Sequence, residues 1–470
     1  MPGNPTSPTA PPRQEGRRTV ERNTQGGSVS FRRTDQPLLR FHLSRAFTRN
    51  TPALVCTLVL LGLLLQSTSC TRPQLLENHE LTQARLYDVI ERASTASRLQ
   101  VIHPLSIQLI SRSEVAGILG ESSTLAAGSK DWSNWKAAHS AMGLSSEATG
   151  TTAERIAHLS RIVTGIYVPE KKTLYIVGQH ALSARGGLYL NSLGTIGNEV
   201  TLAHEVIHAL QHQHYPKLFD TNEALWPQQT DATLALHAAI EGDATLWAAQ
   251  SLGFLGRARD PEDVLSSAQD EMNSVSDAEP LLREQTVFPY TYGYRFTYLE
   301  GRTGLEVPPA STEQILHPES GRRRDFQAIN LSNYVHSIET DGCRVLHQDT
   351  MGEFTISLWL RRFDPTIPQH VWDGWDGDRW LVADCRSGRE VLWLTSWDTE
   401  KDASEFETTL REIASKLPSR TNLQAPAIER QSRDVIVSSN GLRPTITELK
   451  RTAIRARVTT RAELVAHFPE

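Results

Sequence analysis

Cysteine is scarce in this chain. Only Cys56, Cys70, Cys343 and Cys385 occur in 470 residues, and no two form a CxxC pair. That spacing excludes a cysteine-built zinc finger and a thioredoxin-type redox motif. A glycine-rich phosphate loop is also missing, and so is a GxSxG nucleophile elbow, which removes two large classes of enzyme. The chain has no internal repeat, so it is not a solenoid or a propeller. Its longest apolar run, Ala53 to Leu65, is about 13 residues, short for a membrane-spanning helix. An excess of positive charge is lacking too. With 48 basic and 54 acidic residues the net charge is −6, so the chain as a whole does not read as a nucleic-acid binder. What remains is an ordinary globular composition, 39% apolar and 22% charged, with room for two or three domains.

The charge is spread unevenly. Residues 1–50 carry nine Arg, no Lys and three acids, a net of +6; the remainder has 39 basic and 51 acidic residues, a net of −12. Residues 1–50 are rich in Pro, Arg, Ser, Thr and Gly, and read as a disordered basic tail. Residues 51–70 follow with a short apolar core, Arg40, Arg45 and Arg49 in front of it, and small residues leading to Cys70. This reads as an export signal. It resembles a bacterial lipoprotein signal, whose cysteine is lipidated, although Ser67 stands where an aliphatic residue is usual. The alternative is a single-pass anchor with a basic cytoplasmic tail. Either way the chain is expected in the cell envelope, exported and attached through a lipidated Cys70 or an N-terminal anchor. The signal begins some 40 residues in, so residues 1–37 or so read as preceding the true start. Export leaves Cys343 and Cys385 in an oxidising compartment, as a disulfide or as two separate thiols.

Beyond the signal, the pattern from Leu75 to about Leu99 is helical, with Leu81, Ala84, Leu86, Val89 and Ile90 near a 3.6 period. "LSIQLISRSEV" reads as a strand entering a helix. Residues 121–150 read as a loop with a short helix. "GIYVPEKKTLYIVG", 165–178, reads as a hairpin. Asn198 is a candidate N-cap for the next helix, and Pro216 its stop. A second strong helix covers about 230–252. Residues 255–280 are polar. From about 330 the character changes to short strands and tryptophans, among them "EFTISLWLRR" and "WDGWDGDRWLVAD".

The chemistry concentrates in "TLAHEVIHALQHQHYP", residues 201–216. His204 and His208 are four apart, so a helix presents them on one face, one turn apart. Two imidazoles so placed can share a zinc ion, and Glu205 between them is placed to take a proton from a zinc-bound water. This is the HExxH pattern. The surrounding Ala203, Val206, Ile207, Ala209 and Leu210 make the helix a buried one. The bland alternative is two satisfied core histidines and a surface glutamate.

HExxH supplies two ligands, and two residues compete for the third. His214 lies ten residues after His204, but Gln211 stands where a helix-breaking glycine would be needed. An unbroken helix turns His214 about 80° away from the His204/His208 face. Glu241 lies in the apolar second helix, where a carboxylate needs a reason, and a metal is one. Gly242 beside it suits a close helix approach, and Asp243 is a candidate to hold an imidazole N–H. The bland reading of Glu241 is a buried salt bridge.

His204-Glu205-x-x-His208, followed by a helix with Glu-Gly-Asp-Ala, resembles the gluzincin side of the zincin metallopeptidases. "GIYVPEKKTLYIV", "HEVIHALQHQHY", "EGDATL", "FPYTYGYRF", "PPASTEQILHP" and "GWDGDRW…WDTEKDASEF" look like blocks of a group of exported bacterial members, in that order, over about 165–410. The resemblance implies His204, His208 and Glu241 as zinc ligands and Glu205 as catalytic base. It implies no particular substrate.

Such sites add a donor for the developing oxyanion. Tyr290, Tyr292, Tyr294 and His317 are the candidates, with core packing the bland reading of each tyrosine; Tyr290 and His317 are singled out. His212 shares the His204/His208 face and either lines a cleft or caps the helix. Asp373, Asp376 and Asp378 in "WDGWDGD" suggest a calcium loop, but the spacing fails the EF-hand pattern, so the run reads as an aromatic-rich turn. The expected fold is α+β: a zincin-like metallopeptidase domain over 71–329, with a small mixed sheet against two main helices, a C-terminal α+β module over 330–420, and a peripheral tail over 421–470. The expected activity is zinc-dependent hydrolysis of a peptide or protein. The alternatives are a zinc-containing envelope scaffold, which intact Glu205 argues against, and a metal hydrolase of a cell-wall amide.

Overall fold

The chain folds as α+β, with long helices first and a larger sheet after them. The computed structural model describes residues 75–468, apart from 78–79, 122–128, 145–155, 157–159, 161–162, 178–196, 221–227, 254–259, 262, 264–279, 319–323, 418–420 and 424–425. The basic tail, the signal and Cys70 lie outside the described residues. No helix among the described residues is long and apolar enough to cross a membrane.

The first strands, β1 (Leu76–Glu77) and β2 (Glu80–Leu81), form a small antiparallel pair before α1 (Gln83–Ser97). The helix expected over 75–99 is therefore shorter at its front. β3 (Ser106–Ile110) runs directly into α2 (Arg112–Glu121), as the sequence pattern predicts, and α3 (Ser129–Ala141) follows. β4 (Gly165–Val168) and β5 (Thr173–Val177) make the expected hairpin. β3 joins β5 in parallel, giving a mixed sheet of order β3-β5-β4. Successive side chains of β5 face opposite ways. Leu174 and Ile176 enter one core; Tyr175 and Val177 meet Val115 and Leu119 in another.

Four helices then build the framework of the site: α4 (Gly197–His214), α5 (Pro216–Asp220), α6 (Thr230–Ser251) and α7 (Pro280–Glu300). α4 begins at Gly197, so Asn198 lies in its first turn and not at its cap. Its end before Pro216 is as expected. Arg85 of α1 anchors its start, donating from Nε to Glu199 Oε1 at 2.7 Å. Leu202, Ala203, Val206, Ile207 and Leu210 of α4 share a core with Leu174 and Ile176 of β5 and Ala244 and Ala248 of α6. α7 is a third long helix where two were expected. Pro289 and Gly293 lower its local helix propensity, and packing against α6 overrides them. The crossing is backbone to backbone: a Cβ on Gly242 would fall 2.1 Å from Gly293 O, and one on Gly293 would fall 2.1 Å from Ala238 O. Glycine is required at both positions. The close approach that Gly242 suggested toward the HExxH helix is made to α7 instead.

The chain continues through α8 (Thr303–Glu306), α9 (Thr312–Leu316), β6 (Phe326–Asn330), α10 (Ser332–Thr340), β7 (Arg344–Asp349) and α11 (Gly352–Phe363). Next come β8 (Trp375–Cys385), β9 (Gly388–Trp397), α12 (Glu400–Ile413), β10 (Ala427–Gln431), β11 (Asp434–Ser438), α13 (Ile446–Thr452), β12 (Ile454–Val458) and α14 (Arg461–His467). Five strands form an antiparallel sheet of order β10-β11-β9-β8-β7. Both its faces are covered. Trp380, Val382, Val391 and Trp393 pack with Trp359 and Phe406; Leu381, Ala383, Leu392 and Leu394 pack with Tyr334, Ile338 and Leu449. Burial on both faces explains the apolar runs Trp380–Ala383 of β8 and Val391–Leu394 of β9. Cys343 and Cys385 are joined as a disulfide across β7 and β8.

Several expectations change here. "EFTISLWLRR" forms α11, not a strand, because its β-branched and aromatic residues are buried around a helix. "WDGWDGD" is a turn only up to Gly374, and β8 starts at Trp375. Asp378 is buried within β8 and accepts from the N–H groups of Met351 and Gly352 at 3.0 and 2.9 Å. The segment 421–470 is not peripheral: β11 is fully buried between β10 and β9, and β12 pairs with β6. β6 itself crosses the boundary expected at 329/330, and Arg72–Glu470 is one compact unit.

Candidate metal centre

α4 carries His204 and His208 one turn apart, and α6 brings Glu241 opposite them. His204 Nε2 lies 2.9 Å from His208 Nε2 and 3.0 Å from Glu241 Oε2, and His208 Nε2 lies 3.3 Å from the same oxygen. Three donor atoms therefore converge on one point. Zinc bonds of about 2.0–2.1 Å at tetrahedral angles set ligand atoms roughly 3.3–3.4 Å apart. The observed triangle needs only a small opening to hold the ion, and two imidazoles with one carboxylate is a donor set zinc accepts.

The helix also fixes the ring of His208. Its Nδ1 donates to Gln211 Oε1 at 2.9 Å, which turns Nε2 toward the convergence point as the ligand atom. Gln211 is fully buried, and its Nε2 donates to Ile240 O at 3.0 Å and Asp243 Oδ2 at 2.8 Å. Asp243 therefore does not hold an imidazole directly, as expected from sequence; Gln211 stands between them. The other oxygen of Asp243 accepts from Trp247 Nε1 at 2.7 Å and Arg302 Nε at 3.4 Å. Sequence reasoning weighed Gln211 only as a helix former. Its signal was a polar side chain three residues after His208, in a helix otherwise too apolar to leave it in water.

Charges inside the site are strongly coupled. Burial raises the Glu205 carboxyl above its ordinary range, against the pull of His208 and His204, while the backbone N–H of Tyr167 donates to it. Burial also works against ionising Glu241, but the neighbouring histidines outweigh it and hold that carboxyl well below the usual range. For His208, burial disfavours the cation, yet Glu241 overrides it and raises the ring to about 9. Burial, then the Glu241 and Glu205 carboxylates, push the Tyr290 hydroxyl well up, and that hydroxyl hydrogen-bonds to Glu241. The Tyr290 ring centroid is 6.1 Å from that of His204. The Gly242/Gly293 crossing brings it there, one helical turn before Gly293.

The other candidates lie elsewhere. α4 runs unbroken through Gln211, so His214 stays off the face of His204 and pairs through Nε2 with Gln100 O at 2.8 Å. His212 Nδ1 meets the Tyr167 hydroxyl at 2.8 Å. Tyr292 stacks on Phe288, and Tyr294 is buried with Leu246. His317, expected beside the metal, is not in this group. It follows α9 and faces the start of α11, with Nε2 2.8 and 3.0 Å from the two oxygens of Glu353.

Residues 343–459 match a family model described as a domain of unknown function, DUF8575. That stretch holds β7 to β12 and excludes His204, His208 and Glu241. No curated protein and no solved structure matches the chain.

Proposed function

We propose that the chain is an exported zinc-dependent peptidase of zincin-like fold, with His204, His208 and Glu241 as ligands. The observation that carries this reading is the convergence of the two imidazole Nε2 atoms and one carboxylate oxygen. When bound, zinc supplies an acidified water and a positive charge for a developing oxyanion. The chain's own groups supply the rest. Glu205 is held by the Tyr167 N–H, and its burial makes its carboxylate a stronger base, able to take a proton from water and return it to the leaving amine. The Tyr290 hydroxyl stays protonated and can donate to an oxyanion. β4, paired only with β5 among the described residues, gives an extended peptide a strand to lie along beside Glu205. The disulfide in the C-terminal sheet suits an oxidising compartment, in keeping with export and with attachment through Cys70 or an anchor.

The test is hydrolysis of a panel of unfolded proteins and cell-wall amides, with and without a chelator. Chelator-sensitive cleavage of proteins, abolished in Glu205→Gln, supports the reading. Cleavage of cell-wall amides alone replaces it with an amidase, and zinc retention without turnover replaces it with a scaffold.

A further inference from the structure

A second group of metal-type ligands lies apart from the first. His317, Glu353 and Asp373 each offer one ligand atom, and these atoms lie within 4.8 Å of one another. They come from the end of α9, the first turn of α11 and the turn before β8. The local fold aims them. Gly352 has φ 71, and a Cβ there would fall 1.8 Å from Asp231 Oδ1, so only glycine makes the turn that starts α11. That turn sends Glu353 inward, where it is 1% exposed.

The surroundings are rich in buried carboxyl groups. Glu313, also 1% exposed, lies close enough for the Glu353 charge to bear on it, and Asp398 bears on both. Among the described residues, Arg324 is the cation acting on both glutamates, at 3.6 Å from Glu313 Oε1. Glu313 Oε2 and Asp373 Oδ1 are both shielded from solvent and have no hydrogen-bond partner among the described residues. A buried carboxylate without a donor or a cation is costly. A metal ion held by Asp373 gives that carboxylate a partner and adds positive charge beside Glu353 and Glu313.

We propose that His317, Glu353 and Asp373 bind a second divalent transition-metal ion, which ties α9 to α11 and the sheet. One imidazole with two carboxylates suits zinc or manganese better than calcium or magnesium. The ion joins two motifs, "ILHPES" and "WDGWDGD", that the first site leaves unused. The inference does not depend on the peptidase reading.

The test is metal content per chain after equilibration with Zn²⁺ or Mn²⁺ and gel filtration, on the full chain. Glu241→Gln removes the first site and is expected to retain one equivalent of metal. Adding Asp373→Asn, or separately His317→Asn, to Glu241→Gln is expected to remove that equivalent while circular dichroism stays that of the parent. A chelator should lower the melting temperature of Glu241→Gln and leave both double variants unmoved. The proposal is overturned if Glu241→Gln holds no metal, or if its metal survives in both double variants.

Discussion

The groups around His204 and around His317 use the same kinds of side chain, but they are assembled differently. In the first, two ligands sit one turn apart on α4, and the third lies on a helix packed against it. In the second, His317 and Glu353 are 36 residues apart and meet only because two helix ends and a turn before a strand converge. The first is backed by an amide that is itself held by a carboxylate, Gln211 and Asp243 orienting one ring. The second is ringed by further carboxylates. The difference separates jobs. On the proposed reading, the oriented site with a base and a tyrosine beside it serves catalysis, whereas the site buried among helix ends holds segments together.

Breaking the first group's chemistry should have the largest effect. Glu205→Gln is expected to lower kcat by about 10²–10⁴-fold, the usual contribution of a general base, with metal content unchanged by mass spectrometry. His317→Asn should leave kcat close to wild type, which is how the two groups are told apart. Tyr290→Phe comes next. Losing one oxyanion donor costs about 10²–10³-fold in kcat, and KM should move little, because the hydroxyl matters most in the transition state.

The first group was largely legible from sequence. The four-residue spacing of His204 and His208 survives any helix, and a carboxylate in the middle of a mostly apolar helix pointed to Glu241. The unbroken α4 keeps His214 off the face of His204. Gln211 was missed because its value lies in a contact with Asp243 on another helix. The second group could not be read, since its members meet only through tertiary turns. α11 was mistaken for strand because its β-branched and aromatic content is decided by burial, not by propensity. β11 was taken for tail because a five-residue strand carries little signal until it is seen between two others.

Smaller effects sharpen the account. Gln211→Leu unties His208 and leaves Asp243 short of a donor, so zinc affinity should fall about 10–100-fold in a competitive chelator titration, with the second group's metal unaffected. Gly293→Ala forces apart two helices in backbone contact. Overpacking of this kind costs about 1–3 kcal/mol, readable in urea denaturation.

The most direct measurement is peptide hydrolysis by metal-stripped protein with zinc added back, for wild type, Glu241→Gln and His214→Gln side by side. Zinc is expected to restore activity to wild type and His214→Gln but not to Glu241→Gln. Restoration in Glu241→Gln with loss in His214→Gln, or hydrolysis that needs no added zinc in all three, would contradict the proposed zinc centre.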